Sequence, residues 1–153
     1  MRTCSIQVYD VGSVFFRANK GEFVFSNIQQ TLEPNDWGHS IYFSQNIGTA
    51  RGYLDDSSKI MLNFTNKVPI KYILCSHCCF KGEPFGDYRD YMDSIVKEIE
   101  LLLGVTKPSN VPFMLWLGEL GYAFQCYHDS ETDSMETIVP LQLMKEENWS
   151  ITR

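Results

Sequence analysis

Turn residues cut this chain into many short β-prone runs, and helical periodicity survives in only two stretches. Residues 5–9 alternate as a half-buried strand does. Residues 13–17 and 22–25 are rich in Val and Phe, with Lys20-Gly21 as a turn between them. Residues 40–44, 59–64, 70–80, 111–117, 122–127 and 136–143 also read as strands, the last of them closing the sheet. Residues 32–38, with Pro34, Asn35, Asp36 and Gly38, and residues 129–134 read as loops. Ser44 is placed to cap a helix over 45–54, with Ile47, Ala50 and Leu54 on one face. The longer helix, over 88–103, carries Tyr91, Ile95, Ile99 and Leu102 as an apolar stripe and ends at Gly104. Strands and helices do not alternate as β-α-β units. The pattern therefore predicts an α+β fold with a mostly antiparallel sheet and flanking helices.

A length of 153 residues suits one domain spanning 1–153. A chain this long buries about two-thirds of its unfolded surface, enough to fold without a metal or disulfide. The net charge of -6 repels phosphate backbones, so a nucleic-acid partner is disfavoured and a protein partner preferred. The first residues, Met1 to Ile6, hold no long apolar stretch, so neither a secretory leader nor a membrane span is expected. Aromatic residues reach 14%; filling a core is their default use, and small domains this rich in rings often line a pocket with some of them.

Five cysteines, with Cys78 and Cys79 adjacent, are poor material for a disulfide framework. They point to a reducing compartment and a cytoplasmic location. Cys75 and Cys78 have zinc-ligand spacing, with Cys126 and His128 as further donors. On a strand, however, Cys75, His77 and Cys79 share one face and Cys78 takes the other. No metal is expected, and no signature surrounds a cysteine nucleophile paired with His77 or His128.

Three separated segments carry the chemistry. The first is Phe15-Phe16-Arg17-Ala18-Asn19. The second is Ile41-Tyr42-Phe43-Ser44, followed by Ala50-Arg51-Gly52-Tyr53. The third is Met135-Glu136-Thr137-Ile138-Val139-Pro140. In this order they resemble the signature segments of the ADP-ribosyltransferase superfamily. The middle segment is similar to the Gly-x-Ile-Tyr-Phe strand and Ser-Ala-x-Tyr helix of its poly-ADP-ribose polymerase-like branch. The third is similar to the Glu-Tyr-Ile-Val-Tyr strand whose Glu is catalytic. Ile73-Leu74-Cys75 resembles a further apolar strand, so the likeness runs from about Ser13 to Leu143. Two positions depart from the pattern. Arg17 stands where the polymerase-like branch has His, as in the toxin-like branch, whose Ser-Thr-Ser strand is echoed only by Ser40 and Ser44. Ser134 stands where arginine-modifying members carry Glu.

The resemblance implies the family's split, mostly antiparallel sheet and a mono-ADP-ribosyltransferase. Such an enzyme cleaves NAD at the nicotinamide–ribose bond and passes ADP-ribose to a protein, as a bacterial or phage effector or toxin would. It implies Glu136 as the catalytic carboxylate beside the ribose 2′-hydroxyl, where positive charge develops. It implies Tyr42 and Tyr53 stacked on nicotinamide, and Arg17 on a phosphate or ribose oxygen. Glu131 and Glu119 are rival carboxylates, Glu131 in the loop where the family recognises its target. NAD hydrolysis and a non-catalytic binding module stand beside transfer as alternatives, as does a zinc-stabilised interaction domain.

Overall fold

A computed structural model describes residues 4–28, 38–75, 88–129 and 134–153. One mixed sheet holds β1 (Cys4–Tyr9), β2 (Val14–Lys20), β3 (Ser40–Ser44), β4 (Lys59–Asn66), β5 (Ile70–Cys75), β6 (Ala123–Asp129), β7 (Ser134–Pro140) and β8 (Trp149–Thr152). The order across the sheet is β1-β5-β6-β7-β3-β2-β4-β8. Every neighbouring pair is antiparallel except β5 with β6. A parallel pair needs a long crossover. Here α2 (Tyr88–Leu103) and α3 (Phe113–Leu120) lie within it, while α1 (Ile47–Arg51) follows β3. The α+β class with a mostly antiparallel sheet is as the sequence predicts.

Two strand pairs form one ribbon. Cys4 faces Cys75 and Tyr9 faces Ile70, and the partner numbers add to 79 in both cases (4 plus 75, 9 plus 70). Val14 faces Thr65 and Lys20 faces Lys59, again adding to 79. The register is therefore unbroken from one pair to the other, and the ribbon bends at 10–13 against 66–69. Its halves take opposite sides of β6, β7 and β3. Asn66 pins the bend: its Nδ2 donates to the carbonyls of Tyr9, Asp10 and Val68 at 3.3, 2.9 and 2.9 Å. Gly12 takes a left-handed φ of 91° there and donates its N–H to the Asn66 carbonyl.

Each face of the sheet has its own core. On one face Ile95 and Ile99 of α2, and Met114 and Leu117 of α3, cover Ile73, Phe124 and Ile138. On the other, Phe15, Phe43, Phe64 and Trp149 pack edge-on and stacked with Ile41, Leu62 and Val139.

Several elements differ from the sequence reading. Residues 111–117 are not a strand. Phe113, Met114, Trp116 and Leu117 are buried at helical spacing in α3, between Pro112 at its start and left-handed Gly121 at its end. Residues 22–25 do not pair as a strand. Phe23 and Phe25 instead pack against the aromatic core and a 3-10 turn covers Phe25–Asn27. The predicted strand over 136–143 stops at Pro140, gives way to a 3-10 turn and is followed by β8. The first helix is shorter than 45–54, and Asn46 caps it in place of Ser44 by accepting the Thr49 N–H at 3.1 Å. Ile47 and Leu54 are exposed, so its apolar face buries only Ala50. Leu102 on α2 is likewise exposed. Most of the loop predicted over 32–38, and the strand reading beyond 75, lie outside the described residues.

Candidate functional site

β7 sets the site. Glu136 faces Ser44 of β3 on one side and Cys126 of β6 on the other. Residues directly opposite share a face and neighbours along a strand alternate. Glu136, Ser44, Tyr42 and Ile138 therefore lie on the helix-covered face. At only 6% exposed, Glu136 is a carboxylate where carboxylates are scarce. A polar partner offsets its burial: the Tyr53 hydroxyl donates to Glu136 Oε1 at 3.0 Å, from 83 residues away in sequence. Burial first, and then the Glu136 carboxylate, raise the Tyr53 phenol above its ordinary value of 10.0. It thus stays protonated, and a donor, across the neutral range.

Tyr53 reaches Glu136 because β3 and α1 are joined by a short capped turn. Ser44 Oγ accepts the Asn46 N–H at 3.0 Å, and the Asn46 side chain starts the helix. Tyr53 then follows Gly52, and its N–H closes on the Ala50 carbonyl. The eleven-residue spacing from Tyr42 to Tyr53 spans this strand, turn and helix.

Arg17 marks a second feature. Among the described residues β2 and β3 pair only at Phe16 and Ser44. A continued ladder would set Ala18 opposite Tyr42 (16 plus 44 equals 18 plus 42). In its place the Arg17 side chain donates through Nη1 to the Tyr42 carbonyl at 3.0 Å. Asn19, two residues on and fully buried, accepts from Arg17 Nε at 3.0 Å and anchors itself on the Gly21 carbonyl. The guanidinium is thus fixed where the two strands part. The pleat sends Arg17 toward the face of Phe15 and Leu62, opposite to that of Glu136.

The structure joins Tyr53 to Glu136 and Arg17 to the backbone of Tyr42, with β3 common to both. The Tyr42 ring is half-buried against the helix-side core. Glu119 is exposed on α3, and Glu131 lies outside the described residues. The zinc reading is not carried by Cys75, whose Sγ is bonded to that of Cys4. His77, Cys78 and Cys79 lie outside the described residues. The disulfide also departs from the expectation of free thiols. One directly opposed pair in a strand register suffices to form it, whatever the total count. Asn19 and Ser44 are the polar partners that the motifs contained without a role. The period-two spacing of Arg17 and Asn19 is the signal that could have linked them.

No protein-family model matches the chain, and no curated protein matches it.

Proposed function

We propose that the chain is a mono-ADP-ribosyltransferase acting on NAD, with Glu136 as its catalytic carboxylate. The observation that carries this reading is the buried Glu136 held by the Tyr53 phenol. A carboxylate taken out of water and held by a neutral phenol donor is built to meet charge that develops beside it. The sheet parting at Arg17 supports the finer expectation of a split sheet, with its gap as the mouth for a dinucleotide.

NAD supplies an activated ribosyl group and nicotinamide as its leaving group. When that bond breaks, its electron pair leaves with nicotinamide and positive charge spreads over the ribose ring. Glu136 accepts a hydrogen bond from the ribose 2′-hydroxyl and stabilises that charge. Tyr53 keeps the carboxylate in place and its half-exposed ring covers one side of the nicotinamide. Arg17, oriented by Asn19 on the face of the sheet opposite Glu136, meets a phosphate or ribose oxygen only where the dinucleotide passes through the gap between β2 and β3. A nucleophile on a protein target then closes on the ribose carbon.

The test is labelled NAD with a cell lysate, beside NAD alone. Wild-type protein is expected to label a protein target. Glu136→Gln is expected to reduce turnover by about a hundredfold or more while NAD still binds. Turnover equally fast without lysate would assign hydrolysis. Full activity in Glu136→Gln, or no NAD binding by calorimetry, would end the reading. Unchanged NAD affinity in Arg17→Ala would remove Arg17 from the site.

A further inference from the structure

The face of α2 that packs on the sheet edge brings a carboxylate to a sulfur pair. Cys4 of edge strand β1 faces Cys75 of β5, and their Sγ atoms are bonded. Glu98 of α2 sets its Oε2 at 3.2 Å from Cys4 Sγ. The three donor atoms lie within 4.8 Å of one another. In the disulfide, Cys4 Sγ has no proton to give, and an ionised carboxylate beside it gains no hydrogen bond from that sulfur. In the dithiol the same distance is a thiol hydrogen bond to a charged acceptor, within the reach of sulfur donors. Glu98 therefore favours the reduced pair over the bonded one.

We infer that Cys4 and Cys75 form a reversible thiol–disulfide couple that exchanges with low-molecular-weight thiols and disulfides, with Glu98 as the positioning residue that sets its balance. Exposure gives the order of events. Cys75 is 0% exposed and Cys4 is partly exposed, so exchange starts at Cys4. In the oxidising direction the Cys4 thiolate attacks one sulfur of the small disulfide. One small thiol departs and a mixed disulfide remains on Cys4. The Cys75 thiolate then attacks the Cys4 sulfur and expels the second small thiol. The two protons lost by the cysteines end on the two departing thiols. The protein pair is oxidised by two electrons and the small disulfide is reduced by two.

The experiment equilibrates the full chain in buffers of reduced and oxidised glutathione. Free thiols are then trapped by alkylation, and peptide mass spectrometry reads Cys4 and Cys75 separately from Cys78, Cys79 and Cys126. The two cysteines should convert together, with a midpoint inside the glutathione range. Glu98→Ala should move that equilibrium toward the disulfide by about tenfold or more, and Glu98→Gln by less, since its amide oxygen still accepts the thiol proton. Circular dichroism of each variant in both states shows whether folding is kept. Should Glu98→Ala fail to fold, the wild-type midpoint and Glu98→Gln carry the test. A pair that stays fully oxidised in excess reduced glutathione, or midpoints within twofold across the folded variants, would overturn the inference.

Discussion

Tyr9 joins the two ends of the chain at one buried hydroxyl. It is 5% exposed, stacks on Tyr72 at 3.9 Å between centroids and shares a 2.8 Å hydrogen bond with Thr137 of β7. Burial is the main cause that raises its phenol above the ordinary 10.0, and it outweighs the Thr137 bond, which lowers it. Tyr53 is raised in the same direction. In both, the folded chain holds the proton more tightly than the unfolded chain does. Their contribution to stability is complete below pH 10 and is lost as pH rises beyond it. Tyr9→Phe keeps the ring stack and leaves the Thr137 hydroxyl without this partner, so it should cost about 1 kcal/mol at neutral pH. The loss of stability above pH 10 should be shallower in the variant than in wild type. Urea midpoints measured from pH 7 to 11 check both statements. Parallel slopes in the two proteins would show that Tyr9 does not titrate on unfolding.

The elements divide by how much of their cause is local. The bounds of α2 match the sequence reading, because its stripe and Gly104, at a φ of 68°, are written in one short window. α3 was hidden because Phe113 to Leu117 is an unbroken run of large apolar residues, which periodicity alone cannot assign to strand or helix. Only its partners decide, and besides Phe124 in the next strand they come from Ile73 and Ile138, farther along the chain. β8 is four residues long and gains its order from Asn63 to Asn66 opposite it. The motif resemblance singled out Tyr53 and Glu136 separately, but no local pattern contains the hydrogen bond between them, and the Cys4–Cys75 pairing needs a register that no window of sequence contains. The bent ribbon is the clearest case, since its corner rests on Asn66. This side chain is 1% exposed and serves three carbonyls from two different turns. Asn66→Ala leaves those carbonyls without that donor and should cost about 2–3 kcal/mol, read as a lower urea midpoint with an unchanged slope. A cost below about 0.5 kcal/mol would mean that the backbone bonds of Gly12 and Asn66 hold the corner without the side chain.

At the scale of the whole molecule, the question is how much the Cys4–Cys75 bond contributes to the fold. The cysteines are 71 residues apart, so closing that loop removes chain entropy worth about 4 kcal/mol from the unfolded state. Were that the only effect, reduction would lower the melting temperature by about 8–16 °C in a chain of this size. The folded dithiol recovers part of it through the Cys4 thiol bond to Glu98, worth about 2 kcal/mol for a charged acceptor. The difference is about 2 kcal/mol, so calorimetry with and without reductant should show a fall of about 4–8 °C. Glu98→Ala should widen that fall toward the full loop value, because it weakens the dithiol state and leaves the bonded one. A chain that melts at the same temperature in both conditions would not carry this bond in solution. A wild-type fall beyond about 15 °C would mean that Glu98 gives the reduced fold nothing.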